Sequence, residues 1–196
     1  MNCASPQFDL PGFEERKPEP DVVFLALRPE PIAAQAAERL TRRYCERLAG
    51  ARPLATDRFH ISLHALGPSY TLPPYFISMA SAVVDEIEMP AFDVVLDRAM
   101  SLNGSNGRLP LVLCESSGLS LVREFHRALG IALIKSGLSR HVRKQIKPHM
   151  TLLYHERRIA EHPIEPVSWT ANEFVLIRSL HGQTKHIELG RWPLRS

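Results

Sequence analysis

The sequence predicts an α+β protein built from two related halves, each with the element order β-α-β-β. Three observations indicate this class. Apolar runs of strand length alternate with amphipathic helical patterns, an internal repeat aligns the two halves, and one strand of each half carries the same short histidine motif. The chain has 196 residues, 44% of them hydrophobic and 23% charged, which is typical of one globular domain.

The first half begins with an apolar run at residues 22–27, which has the length of a strand. Pro31 is a favoured first helical residue and Gly50 a suitable stop, so we predict a helix over residues 32–49. Residues 59–66 then form a strand. The helix has an apolar stripe with a spacing of four residues: Ile32, Ala36, Leu40, Tyr44 and Leu48.

Further elements follow in the same way. A second helical period covers residues 76–87, and strands at 92–98 and 109–114 flank a turn at 103–107. A long amphipathic helix is predicted near residues 119–135, with Leu121, Phe125, Leu129 and Leu133 on one face. The last strands are predicted at residues 149–154, 172–178 and 186–189.

The internal repeat relates most of these elements. A shift of 89 residues (149 − 60) aligns the first strand with strand 109–114 and the first helix with the long helix. The same shift aligns the strand of His60 with that of His149. A shift of 80 residues sets strand 92–98 beside strand 172–178. Several matches in register indicate a duplicated chain.

The N-terminal stretch is predicted to be a flexible leader. Residues 1–20 hold four prolines and a charge cluster, so the domain is expected over residues 21–196. The stretch lacks the pattern of a secretory signal, and no run of about 18 apolar residues occurs, so we expect a cytoplasmic monomer without membrane contact. Three scattered cysteines fit no disulfide framework.

The candidate catalytic residues are His60 and His149, with Ser62 and Thr151 as candidate substrate-binding residues. Residues two apart on a strand point to the same face, about 6.6 to 6.8 Å apart along the chain. Each histidine is therefore a neighbour of its hydroxyl residue, while the alternate residues are apolar and can face the core. If a pseudo-twofold axis relates the halves, both pairs converge on one cleft.

Two histidines and two hydroxyls suit phosphoryl transfer at a cyclic phosphodiester. In-line attack needs a base for the water on one side of phosphorus and an acid for the leaving ribose oxygen on the other. Two imidazoles can divide these tasks without a metal, and the hydroxyls can donate to the phosphate oxygens. The net charge of +3 also favours an anionic substrate.

A metal site is the alternative interpretation of nine histidines. On a strand, however, His60 and His64 would lie about 13 Å apart, which is too far for one ion. His64 and His155 are expected at the cleft edge or on the surface. No metal-ligand spacing relates the remaining histidines, namely His126, His141, His162, His181 and His186.

Basic residues are concentrated around the second motif: Arg140, Arg143, Lys144, Lys147, Arg157 and Arg158. They either line a path for RNA or nucleotide phosphates or form a solvated loop.

Over residues 22–194 the chain resembles the 2H phosphoesterases, specifically the LigT-like branch of 2′-5′ RNA ligases, also described as RNA 2′,3′-cyclic phosphodiesterases. The motifs that carry the resemblance are His60-Ile61-Ser62-Leu63 and His149-Met150-Thr151-Leu152. The resemblance implies a two-lobed duplicated fold, with antiparallel sheets around a central cleft and helices on the outside. It implies no cofactor.

The resemblance also implies separate roles for the site residues. His60 would protonate the leaving 3′ oxygen and His149 would activate water, giving a 2′-phosphate, while Ser62 and Thr151 would hold phosphate oxygens. Two positions depart from the family pattern. Ser62 stands where this branch usually has Thr, and Tyr154 stands where many members have a phosphate-binding Arg.

We therefore expect a metal-independent phosphodiesterase acting on RNA ends or nucleotides with a 2′,3′-cyclic phosphate. Because the same two histidines can act in either direction, reversible 2′-5′ RNA ligation is also expected of this site. The alternatives are a 2′-5′ oligonucleotide phosphodiesterase and a non-catalytic nucleotide- or RNA-binding module of the same fold.

Overall fold

The structure is a computed structural model that describes residues 20–68, 78, 82, 87, 89–104, 107–116, 120–137, 142 and 145–195. Four sequence predictions lie outside these residues, wholly or for the most part. They concern the leader, the helix at 76–87, the ring of His141, and the basic residues Arg140, Arg143 and Lys144.

Two helices and nine strands are formed by the described residues. The helices are α1, Pro31–Arg47, and α2, Leu121–Lys135, and a 3-10 turn covers Thr56–Arg58. The strands are β1 Val22–Leu27, β2 Arg52–Pro53, β3 Ile61–Pro68, β4 Phe92–Ser101, β5 Leu109–Cys114, β6 His149–His155, β7 His162–Ala171, β8 Glu173–Leu180 and β9 Lys185–Pro193.

All nine strands belong to one antiparallel sheet with the order β7-β4-β5-β6-β3-β1-β8-β9, and β2 pairs with β6. We call β3, β1, β8 and β9 the first lobe, and β6, β5, β4 and β7 the second lobe. The lobes join where β3 meets β6. The predicted α+β class and the antiparallel, two-lobed arrangement are confirmed.

Strands related by the sequence repeat occupy equivalent places in the two lobes. β3 and β6 meet at the junction, β1 and β5 come next, and β8 and β4 follow. Each half of the chain contributes strands to the opposite lobe, because β4 of the first half pairs with β5, and β8 of the second half pairs with β1. The repeat thus produces two interlocked lobes with an approximate twofold relation.

Helix α1 forms as its terminal signals predict, but it packs with a different face. Pro31 begins the helix, and Gly50 after its end has a φ of +76°, a conformation that suits glycine. The residues it buries most are Ala33, Ala37 and Thr41, whereas Ile32 is 80% exposed. The prediction that Ile32 belongs to the packed face is wrong. The helix packs on the sheet through the adjacent row of small residues, which leaves Ile32 in solvent.

Helix α2 follows its predicted apolar face more closely. The side chain of Ser120 accepts a hydrogen bond from the backbone N–H of Arg123 and caps the helix. Phe125, Leu129 and Leu133 are fully buried, but Leu121 is 44% exposed.

The two faces of the sheet have different environments. The main core lies between the sheet and the helices, where α1 contacts β6 and β7 and α2 contacts β3 and β4. A second, small cluster of Phe24, Ala26, Val175 and Ile177 lies apart from that core. We call its side of the sheet the cleft face, since it is the side without α1 and α2.

Strand β7 is missing from the sequence prediction. It contains Pro163 and Pro166, which cannot donate to a ladder, and it stands at the edge of the sheet, where it pairs only with β4. None of the described helices is both long and apolar enough to cross a membrane.

Candidate active site

The two histidine motifs meet at the junction of the lobes. Ile61 on β3 is paired with Met150 on β6, and both side chains are fully buried in the core. Extending this antiparallel register by one residue sets Ser62 opposite His149 and sets Thr151 opposite His60. Cross-strand neighbours of this kind lie about 4.5 to 5.5 Å apart between Cβ atoms, and all four polar side chains share the cleft face.

Each histidine ring is held in the same way by its own strand. His60 Nδ1–H donates to the Arg58 carbonyl at 2.7 Å, and His149 Nδ1–H donates to the Lys147 carbonyl at 2.7 Å. Since a carbonyl can only accept, both neutral rings carry their proton on Nδ1. Nε2 is then the nitrogen that remains for proton transfer in both rings.

The hydroxyl residues differ in their contacts. Ser62 is exposed, and its hydroxyl lies 3.0 Å from His60 Nε2, so it donates to that nitrogen when the ring is neutral. Thr151 is half-buried on the matching strand. The Ser62 hydroxyl therefore contacts a motif histidine directly, and the strand register sets Thr151 opposite His60.

A third histidine, His186 on β9, completes an aromatic cluster around His60. Its ring centroid lies 5.2 Å from that of His60 in an edge-on arrangement, and Phe24 lies 4.9 Å from His60 and 5.7 Å from His186. Sequence reasoning passed over His186, because its spacing relates it to neither motif. Only the curvature of the sheet brings β9 to this point.

The surroundings of His60 disfavour its protonated form. Burial lowers its pKa to about 4, and the charges of Arg58, of His149 when protonated and of Arg28 act in the same direction, against the bond to the Arg58 carbonyl. Burial, with the charges of His60, Arg58 and Arg28, likewise lowers the pKa of His186 to about 4, although Asp57 opposes this. Both rings are neutral at pH 7 in the ligand-free protein.

The prediction that His64 and His155 lie at the cleft edge or on the surface is wrong. His64 is fully buried on the helix side, where its ring stacks on that of His126 at 4.0 Å and its Nε2 bonds the His126 carbonyl. His155 is 2% exposed and contacts the Ser101 hydroxyl at 3.0 Å. Register irregularities beside both strands change the alternation, so an even spacing from His60 or His149 no longer fixes the face.

The described basic residues near the second motif are on the surface. Lys147 lies 3.7 Å from Glu161 and also contacts the sulfur of Met100, and Arg157 is exposed. Tyr154 is 38% exposed on β6. Within the described part of the chain, no three His, Cys, Asp or Glu side chains are grouped so that they could hold a metal ion.

The fold matches that of several solved structures. A protein described as a phosphoesterase aligns with a TM-score of 0.71 and 22% identity, over 90% of this chain and 100% of its own. Escherichia coli LigT in its apo form aligns with a TM-score of 0.70 and 21% identity, over 91% and 99% of the two chains. A Thermus thermophilus protein aligns with a TM-score of 0.68 and 18% identity, over 89% and 98%.

The chain therefore shares its fold with E. coli LigT and with a protein described as a phosphoesterase over nearly the whole of each chain, and the expected fold is confirmed. E. coli LigT has also been crystallised with NADP+ and with ATP. No protein-family model and no curated protein matches this chain.

Proposed function

We propose that the chain is a 2H phosphoesterase that hydrolyses 2′,3′-cyclic phosphates of RNA ends or nucleotides without a metal and leaves a 2′-phosphate. The observation that carries this proposal is the matched pair of histidines across the Ile61–Met150 junction, each with Nδ1 anchored and Nε2 available. The fold shared with LigT and another phosphoesterase supports it.

The proposed reaction uses one histidine on each side of the phosphorus. His149 takes a proton from water as the water oxygen bonds to phosphorus, the bond from phosphorus to O3′ breaks, and His60 gives a proton to O3′. Ser62 and Thr151 donate to the non-bridging oxygens, where negative charge develops. When a 5′-hydroxyl of RNA takes the place of water, the same two proton transfers form a P–O5′ bond, break the P–O3′ bond and join RNA ends by a 2′-5′ linkage.

The pKa of His60 in the ligand-free protein requires that this residue gain its proton on substrate binding if it is to act as the acid. An acid must begin protonated, and His60 with a pKa of about 4 is neutral at pH 7. A bound phosphate is negatively charged and favours the protonated ring, so the pKa of His60 rises in the complex. Binding of the substrate thus favours the protonated form of His60 that donates the proton.

The test is hydrolysis of a nucleoside 2′,3′-cyclic phosphate in chelator by wild type, His60→Ala and His149→Ala. We expect each variant to lose about 10²- to 10⁴-fold in rate, the usual contribution of one general acid or base. A second substrate, bis(4-nitrophenyl) phosphate, separates the roles, because its good leaving group needs little protonation. His60→Ala should retain much more of its activity on the aryl ester than His149→Ala.

If His149→Ala instead retains more activity on the aryl ester than His60→Ala, then His149 is the acid and His60 is the base. Full activity of either variant on the cyclic phosphate, or formation of a 3′-phosphate by wild type, would contradict the proposal. Tight nucleotide binding without turnover would instead indicate a binding module, an outcome that Tyr154 at the position of the family arginine makes worth measuring.

A further inference from the structure

Two arginines flank His60 on the cleft face. Leu27 on β1 is paired with Ile61 on β3, so the antiparallel register brings Arg28, the next residue, opposite His60. Arg58 lies two residues before His60, in the 3-10 turn, and its carbonyl holds the His60 ring. The charges of both arginines act on His60 and on His186, which shows that all four groups share one electrostatic environment.

Among the described residues, no carboxylate pairs with Arg58, and the carboxylate that pairs with Arg28 is shared with Arg191. Glu188 lies 3.6 Å from Arg28, but its carboxylate already accepts two hydrogen bonds of 2.8 Å from Arg191. Arg58 makes no side-chain hydrogen bond or ion pair with any described residue. Asp57 is the carboxylate whose charge acts on His186, and this residue is exposed.

Three polar atoms here are also buried without a hydrogen-bond partner among the described residues. They are Nε of Arg28, Nε of Arg58 and Nδ1 of His186. Leaving such a group unpaired is unfavourable, and more so when the group is charged. A cluster of three unpaired polar atoms and two guanidiniums is suited to binding an anion.

We propose that Arg28, Arg58 and His186 form a second anion subsite beside His60, which binds a phosphate other than the one that is cleaved. The proposal rests on the proposed function and specifies its substrate class: a 2′,3′-cyclic phosphate that carries another phosphate on the same or the preceding nucleoside. Either a 5′-phosphate or the adjacent phosphodiester of an oligonucleotide supplies that chemistry.

The position of the subsite links substrate choice to the proton donor. An anion held between Arg28 and Arg58 offsets the two charges that, after burial, oppose protonation of His60. The second phosphate therefore both adds binding contacts and favours the protonated ring. The subsite also supplies cations near the reacting phosphate, in a chain that has Tyr154 where its family resemblance leads us to expect an arginine.

The experiment compares kcat/KM on three substrates: adenosine 2′,3′-cyclic phosphate, the same compound with a 5′-phosphate, and the dinucleotide ApA with a terminal 2′,3′-cyclic phosphate. Charge-assisted hydrogen bonds change affinity by about tenfold to a hundredfold, so wild type should prefer at least one phosphate-bearing substrate by about tenfold or more. Preference for the 5′-phosphate or for the dinucleotide identifies the source of the second anion.

Arg58→Gln should reduce that preference to near unity, and Arg58→Lys should restore part of it. Arg42→Gln is the matched control, because Arg42 is exposed on α1, where it pairs with Glu38. It should keep the wild-type preference. Melting temperatures of the three variants show whether a changed preference reflects a changed fold.

Equal kcat/KM on the three substrates in wild type, or an unchanged preference in Arg58→Gln, would overturn the subsite while leaving the phosphodiesterase proposal intact. If no substrate is cleaved, the phosphodiesterase proposal fails, and binding tests the subsite separately. Adenosine 2′,5′-bisphosphate should then bind wild type about tenfold more tightly than adenosine 2′-phosphate, and Arg58→Gln should remove the difference; equal affinities in wild type would overturn the subsite.

Discussion

At the scale of single residues, the Ser62 hydroxyl has two partners available on the cleft face. In the ligand-free protein it contacts His60 Nε2 at 3.0 Å, and in a complex it can turn to a phosphate oxygen. We predict that Ser62→Ala lowers kcat/KM on a cyclic phosphate by about 10²- to 10³-fold, as the loss of an oxyanion donor typically does.

Ser62→Thr is the matched control, because it keeps the hydroxyl and reproduces Thr151 of the other motif. It should retain activity within a few fold of wild type. If Ser62→Ala hydrolyses the substrate at the wild-type rate, the hydroxyl makes no contact that stabilises the transition state.

The sequence allowed four site residues to be proposed, because strand alternation and the repeat act over short distances along the chain. His60, Ser62, His149 and Thr151 lie on two strands that carry the same pattern. His186 and Arg28 could not be found in this way, since they reach His60 only through the order and curvature of the sheet. No local pattern in the sequence encodes those contacts.

At the scale of elements, helix α2 shows what periodicity can and cannot predict. The predicted stripe contains both Leu129, which is fully buried, and Leu121, which is 44% exposed at the first turn. We predict that Leu129→Ala destabilises the protein by about 2 to 5 kcal/mol, because it removes a core side chain and leaves a cavity.

Leu121→Ala serves as the control on the same face and should change stability by less than about 0.5 kcal/mol, as surface substitutions usually do. Urea unfolding of both variants measures the difference. Equal losses would mean that the first turn of α2 is packed as tightly as its middle, contrary to the exposure of Leu121.

Strands were harder to predict than helices for two physical reasons. Proline discourages a strand assignment, yet β7 tolerates Pro163 and Pro166 because it stands at the sheet edge. Simple alternation from the motif histidines predicts that the side chains of His64 and His155 lie on the cleft face. Irregular strand register places both side chains in the core instead. Both effects depend on partner strands that are distant in sequence.

At the scale of the whole molecule, the duplication explains why one site holds two like motifs. β3 and β6 are equivalent strands, and they meet at the approximate twofold axis, so the motifs meet there as well. The surroundings are not equivalent. Phe24 and His186 surround the ring of His60, and after burial the charges of Arg58 and Arg28 lower its pKa further. In the proposed reaction, this asymmetry distinguishes the two like histidines.

Buried neutral histidines also make the stability of the whole protein depend on pH. His126 is 3% exposed, its Nε2 has no hydrogen-bond partner among the described residues, and burial, with the charge of His64, lowers its pKa to about 4. The unfolded chain has the ordinary value near 6.5. Between these values the unfolded state binds more protons than the folded state, so the free energy of unfolding falls as the pH falls.

We predict that stability is nearly constant above pH 7 and decreases between pH 6.5 and pH 4, with His126 alone contributing up to about 1.4 kcal/mol per pH unit. His126→Phe keeps an aromatic ring against His64 and the carbonyl that His64 contacts, but it cannot be protonated. Denaturant unfolding across this range should therefore give a shallower slope for the variant and unchanged behaviour above pH 7. Identical slopes for the two proteins would show that the pKa of His126 is the same in the folded and unfolded states, which its burial against a second histidine opposes.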